Sequence, residues 1–270
     1  MTELRPDIGT PRAARLRREL RAWRGELADL ALPRACPGCG GPEPWCAGCD
    51  RTLRGRPRTV RFSDTVLDAA AGVPLPVGYA LTAYAGPARQ AVLAAKERNR
   101  RDLAAPLGRA LAEAVRHLLA VAVVPNGAAG DPAGDAAGDS GGLWLVPAPG
   151  RAVAARRRGG DPVTAMTRVT ARRLAATGRP CGVARCLVTA AGAADSVGLG
   201  AADRLANLTG RVRVRAAGRP PPGETVVVID DVLTTGATVL AAQRAMLAAD
   251  RTITVWLTVT AASAALHPVR

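Results

Sequence analysis

The stretch Val226-Val227-Val228-Ile229-Asp230-Asp231-Val232-Leu233-Thr234-Thr235-Gly236-Ala237-Thr238 changes character three times in a short span. Its first four residues are β-branched without interruption, the pattern of a strand covered on both faces. Asp230 and Asp231 follow where that strand is expected to end. Open α/β sheets bind ligands outside the carboxyl ends of their strands. A threonine-rich loop comes next and opens a helix expected over Ala237 to Ala249. Gly236 lets the backbone approach a ligand closely, and a helix start offers unpaired N–H groups to an anion. The arrangement suits a phosphate on the loop and a polyhydroxylated group, such as a ribose, on the paired acids. The expected binding run is Val232, Leu233, Thr234, Thr235, Gly236, Ala237 and Thr238.

Working outward, apolar β-type runs alternate with helical patterns. Strands are expected over Val77 to Tyr84, Leu143 to Val146, Val183 to Val188, Val212 to Val214, Thr225 to Ile229 and Thr252 to Val259. Helices are expected over Pro87 to Lys96, Leu103 to Val121, Pro162 to Ala176 and around Asp203 to Leu208. This alternation predicts an α/β fold with a parallel sheet flanked by helices, over residues 77–270. Residues 125–142 are rich in Gly, Ala and Asp and cannot bury enough apolar surface to offset ordering entropy, so a flexible insertion is expected there. Residues 50–76 read as a Pro/Arg-rich connection with little periodicity. At the other end, Thr10-Pro11 opens a helix within residues 1–32. Leu16, Leu20, Trp23, Leu27 and Leu30 form its apolar stripe, with arginines between them.

The chain has 270 residues, enough for one large domain and a small satellite. Its formal net charge is +15, and Lys96 is the only lysine, so the other cations are arginines. Two readings of that excess stay open: an anionic partner suited to the guanidinium fork, or a GC-rich genome. Aromatic residues are 3%, too few for a long base-stacking surface. The N-terminus lacks the continuous apolar region of a secretory signal. The run Leu118 to Val124 falls far short of the roughly 20 residues that span a bilayer. A cytoplasmic protein with reduced thiols is expected, without a membrane partner.

Cys36-Pro37-Gly38-Cys39 and Cys46-Ala47-Gly48-Cys49 place four thiols in two short knuckles within residues 33–55. That spacing matches tetrahedral metal ligation, with Cys36, Cys39, Cys46 and Cys49 as ligands. Structural zinc is expected, and iron in an S4 site is the chemical alternative. Cys181 and Cys186 lack companions and read as buried or half-buried reduced thiols.

The Val226 to Thr238 stretch resembles the phosphoribosyl-pyrophosphate (PRPP) motif of type I phosphoribosyltransferases. The resemblance implies that Asp230 and Asp231 hold the ribose hydroxyls and that Thr234 to Thr238 cradle the 5′-phosphate. The order of cysteine knuckle, Tyr84-Ala85-Gly86 with Lys96, Val146-Pro147-Ala148-Pro149 and acidic pair resembles the ComF family of competence-associated proteins. That family joins a zinc-binding segment to a phosphoribosyltransferase domain, and the resemblance runs from about residue 30 onward. It implies a contribution of the Val146 to Pro149 turn to a pyrophosphate site, with Arg151, Arg156, Arg157 and Arg158 as clamps. Lys96 is implied in an anion contact, against the plain reading of a solvated cation. Arg204 and Asn207 match a family signature, read either as a hood beside the site or as a helix-stabilising pair. Arg158-Gly159-Gly160-Asp161-Pro162 departs from the family's Arg-Gly-Phe-Asn-Gln, and Ser196 stands where a Gln is common. Both changes remove amides from the acceptor side.

The resemblance implies an enzyme that binds PRPP, or a related ribose phosphate, with magnesium and transfers the phosphoribosyl group to an unspecified acceptor. The alternative it implies is a non-catalytic factor of DNA uptake or recombination, partnered by single-stranded DNA or a competence helicase.

Overall fold

The computed structural model describes residues 34–124, 142–150, 160–179, 181–190, 203, 208 and 210–266. The helix expected within residues 1–32, the insertion up to residue 141, Arg151, Arg156, Arg157, Arg158, Ser196, Arg204 and Asn207 lie outside the described residues.

A six-stranded sheet forms the centre. Its strands are β1 (Arg58–Val60), β2 (Val77–Ala83), β3 (Leu143–Pro147), β4 (Gly182–Val183), β7 (Thr225–Leu233) and β8 (Val255–Ala261). They stand in the order β1-β2-β8-β7-β3-β4, and only β1 runs antiparallel to its neighbour. The central position of β7 and β8 follows from composition. Val226, Val227, Val228 and Ile229 are buried, as is all of β8 including Trp256. Such two-faced apolar strands need cover on both sides, which the crossover helices supply.

The helices are α1 (Ala47–Arg51), α2 (Asp64–Ala69), α3 (Gly86–Glu97), α4 (Ala104–Ala120), α5 (Pro162–Ala175) and α6 (Ala237–Leu247). Helices α3 and α4 contact β2 and β8, while α5 contacts β3 and β7 and lies against α4. Helix α6 is tied to the α2 segment: Gln243 Nε2 donates to the Pro74 carbonyl at 2.7 Å, and Arg244 donates to that of Ala69. A separate antiparallel pair, β5 (Leu187–Thr189) and β6 (Val212–Val214), completes the described strands.

Three expectations are revised. Residues 50–76 are not a bare connection, since they contain the edge strand β1 and helix α2. β1 pairs with β2 through Arg58↔Ala80, Thr59↔Tyr79 and Val60↔Gly78. The run Val183 to Val188 is two strands in two sheets. β4 joins β3, then the chain leaves at Ala184, Arg185 and Cys186 for the pairing with β6. The strand expected to end at Ile229 continues to Leu233, because β8 keeps pairing with it: Asp230 faces Thr258 and Val232 faces Thr260. Among the described residues, no helix is long and apolar enough to cross a membrane.

Candidate functional site

The structure assembles each of two constellations seen in the sequence. The first lies at the carboxyl end of β7. The ladder with β8 carries both acids inside the strand, and their carboxyl groups remain close enough to act on each other and on Lys96. Asp231 is 5% exposed, and its Oδ1 pairs with Lys96 Nζ at 2.7 Å. Its Oδ2 is buried and has no hydrogen-bond partner. A buried carboxylate oxygen left this way costs desolvation energy, which marks it as a place where another group belongs. Backbone bonds fix the rest of the residue. The Thr260 hydroxyl donates to the Asp231 carbonyl at 3.1 Å, and the Asp231 N–H donates to Asp230 Oδ1 at 2.8 Å.

Lys96 sits in the last turn of α3, whose Ala88, Ala91, Val92 and Ala94 are buried against the sheet. That packing aims the ammonium at β7. Burial opposes its charge, but Asp231 and then Asp230 outweigh burial and hold the Lys96 pKa above the ordinary lysine value. Asp230 shows the opposite balance. Burial, then the neighbouring Asp231 carboxylate, push its carboxyl up to about 8, and Lys96 only partly offsets them. One ammonium therefore faces two carboxylates, and the site favours a further cation or hydroxyl donors.

The loop after β7 has the expected geometry. Gly236 adopts φ 94°, in the left-handed region, and a Cβ there would come within 2.6 Å of the Phe62 ring. The Ser63 N–H donates to the Thr235 carbonyl at 3.0 Å, so the segment after β1 braces the loop from outside. Helix α6 opens directly after Gly236 without a side-chain cap on that residue, although the Ala237 N–H reaches Thr235 Oγ1 at 3.4 Å. Thr234 is exposed and Thr235 and Thr238 are half-buried. Leu233 and Ala237 are buried and Val232 is half-buried, so these three serve the core with their side chains. The Val146 to Pro149 turn lies alongside, because the Ala148 N–H donates to the Ile229 carbonyl at 2.8 Å. A cavity of about 200 Å³ borders Pro147, Ala148 and Gly150 of this turn.

The second constellation is the cysteine cluster. The thiol sulfurs of Cys36, Cys39, Cys46 and Cys49 all lie within 4.8 Å of one another. Cys36 and Cys46 are 3.8 Å apart at sulfur, and Cys39 and Cys46 are 3.6 Å apart. A tetrahedron with arms of about 2.3 Å, the usual zinc–thiolate length, has edges of about 3.8 Å. The four donors thus suit a structural metal such as zinc. Burial opposes ionisation of Cys36, but the N–H groups of Cys46, Cys39 and Gly38 outweigh it and bring the thiol down to about 6. Burial and the other three sulfurs push the Cys49 thiol up. Gly38 is required by packing: a Cβ there would come within 2.6 Å of Cys49 Sγ and 2.8 Å of Pro87 Cβ.

Cys181 is half-buried and Cys186 buried, both outside this cluster, as expected of structural thiols. Burial pushes the Cys181 thiol up to about 11. The Arg89 guanidinium lies over the Tyr84 ring at 5.5 Å, and Tyr84 is near enough to Lys96 to act on its charge.

Three supporting residues carried no usable signal in the sequence. Phe62 and Ser63 fall in a stretch without periodicity, and Thr260 is one threonine among several in an apolar strand. Neither the protein-family models nor the curated proteins give a match to this chain.

Proposed function

We propose that the carboxyl end of β7 binds a 5-phosphorylated ribose, with PRPP as the ligand that fits best, and that the protein is a phosphoribosyltransferase of the type I class. The unpartnered buried Oδ2 of Asp231 carries this reading. An oxygen in that position accepts a sugar hydroxyl, and Asp230 beside it can accept the vicinal one. Lys96 holds Asp231 in place through the 2.7 Å contact at Oδ1. The loop from Thr234 to Thr238 meets the 5-phosphate with backbone N–H groups and hydroxyls at the start of α6.

Phosphoribosyl transfer breaks the bond from C1 to pyrophosphate and forms one from C1 to an acceptor nucleophile. Positioning and stabilisation of the departing charge supply most of the catalysis. The acid pair also fits the one or two protein carboxylates that magnesium takes beside substrate phosphates. Bound magnesium would neutralise the departing pyrophosphate. At the knuckle, the proposed metal is zinc with a structural role.

The test is thermal unfolding with PRPP and magnesium. Saturation near one hundred times Kd stabilises by about 2.7 kcal/mol. The shift is expected in the unaltered protein and absent in Asp230→Asn/Asp231→Asn. No shift at millimolar ligand rejects the reading, and so does a shift that survives the double substitution. Pyrophosphate release across candidate acceptors then reads the transfer itself.

A further inference from the structure

A cavity of about 330 Å³ opens where the end of α3, the start of α4 and the start of α5 meet. Arg100, Arg101, Arg168 and Arg185 line it, against one lining carboxylate, Asp161. That carboxylate is already engaged. Its Oδ1 accepts the Val163 N–H at 3.1 Å, and its Oδ2 accepts the Thr164 hydroxyl, which together cap α5. The two oxygens therefore serve the helix start, and the cavity keeps a positive balance.

The arginines divide into two sets. Arg100 is fixed: it grips Asp102 with two nitrogens at 2.8 and 2.9 Å and donates to the carbonyls of Ala35 and Pro44. Arg101 Nε donates to Asn99 Oδ1 at 3.1 Å. Arg168 and Arg185 are exposed, and among the described residues neither has an ion-pair or hydrogen-bond partner. Two uncommitted guanidiniums thus share one concave surface with two held ones. The remaining wall includes Ala95, Ala104 and Leu107, which are apolar.

We propose that this cavity is a second anion site, distinct from the Asp230/Asp231 site, and that it takes a small phosphomonoester whose body rests on the apolar wall. Guanidinium forks bind phosphate oxygens in pairs, and a phosphomonoester presents two charges and three free oxygens. A phosphodiester in a nucleic acid presents one charge and fewer free oxygens. The volume lies at the lower end of ligand pockets, about 300–1,000 Å³, which suits a mononucleotide or smaller ligand. The cavity adjoins the one at the Val146 to Pro149 turn, since Asp161, Thr164 and Arg185 line both, but Asp230, Asp231 and the Thr234 to Thr238 loop are not part of its lining.

The experiment measures calorimetric binding of phenyl phosphate, a phosphomonoester without a sugar, and of inorganic phosphate to the full chain. Arg168→Ala/Arg185→Ala is compared with Asp230→Asn/Asp231→Asn. A hydrogen bond to a charged group is worth about 1.5–3 kcal/mol, so the arginine pair is expected to weaken phenyl phosphate binding by about tenfold or more. The Asp pair is expected to leave it intact, because the probe offers that site no ribose hydroxyls. Both arginines are exposed, and an unchanged melting temperature confirms that the variant is folded. Four results overturn the proposal. They are no binding of either probe at millimolar concentration, phenyl phosphate binding unaffected by the arginine variant, phenyl phosphate binding lost in the Asp variant, and displacement of phenyl phosphate by an oligonucleotide without a terminal phosphate. The last would assign the wall to nucleic-acid backbone.

Discussion

Asp230 and Asp231 are neighbours in sequence with different partners, and the difference sets a testable pH dependence. Asp231 holds the Lys96 ammonium, whereas Asp230 meets burial first and its neighbour's charge second, and its carboxyl is pushed up to about 8. A carboxyl raised in the folded state binds its proton more tightly there than in the unfolded chain. Its stabilising contribution is therefore full below the ordinary carboxylate range and is lost as pH rises through about 8. Asp230→Asn keeps an oxygen that can accept the Asp231 N–H and removes the charge. The variant is expected to be more stable than the unaltered protein near pH 9 and equal to it near pH 4. One pKa unit corresponds to about 1.4 kcal/mol, so the gain at high pH is expected to reach about 1 kcal/mol or more. Urea unfolding at the two pH values checks it, and an equal midpoint at both would show that Asp230 is ionised at little cost. A stabilising change that abolishes ligand binding is the signature expected of a residue kept for function.

At the scale of elements, sequence legibility followed burial on two faces. β7 and β3 were readable because Val226 to Ile229 and Leu143 to Val146 are apolar without alternation, and β8 because Val255 to Ala261 is rich in β-forming residues despite Thr258 and Thr260. β1 and α2 were not, since Arg58–Val60 and Asp64–Ala69 are too short to show a period; β1 depends on the edge of β2 for its place, and the α2 segment on α6. The acidic pair stood out in the sequence, but its position inside the strand was not legible, because aspartate disfavours strands and the β8 ladder overrides that. Helix packing left a different kind of mark. Gly108 in α4 lies where α5 crosses it: a Cβ there would meet Val169 Cβ at 2.6 Å and the Met166 carbonyl oxygen at 2.7 Å. Thr170 bridges the same crossing by donating to the Gly108 carbonyl at 3.1 Å. Gly108→Ala would gain up to about 1 kcal/mol of helix propensity if the helix stood alone. Here the facing atom is backbone and cannot rotate away, so overpacking of about 1–3 kcal/mol is expected to win. A lower urea midpoint with an unchanged slope is the expected result, and a higher midpoint would mean that the two helices can separate freely.

Across the whole molecule, the cysteine segment and the acidic site are joined through one helix. Gly38 packs on Pro87 in the first turn of α3, and Lys96 in its last turn reaches Asp231. Beyond that helix, Arg100 holds the carbonyls of Ala35 and Pro44, Arg34 pairs with Asp102 at 3.2 Å, and Arg54 pairs with Glu113 of α4 at 3.3 Å. The segment's short helix and turns hold little core of their own, so the thiol cluster must supply what burial does not. Removing the metal is expected to loosen Cys36 to Cys49 first and then the α3 start that rests on them. A loss of about 2 kcal/mol lowers the melting temperature by about 4–8 °C in a chain of this size. That fall is expected with a chelator under reducing conditions, and added zinc is expected to reverse it. The same treatment is expected to shrink the stabilisation proposed for PRPP and magnesium, measured after the free chelator is removed, because Lys96 loses part of its support. An unchanged melting temperature in metal-stripped protein would show that the four cysteines carry no structural load. A lower one with full ligand stabilisation would show that α3 holds its register without them.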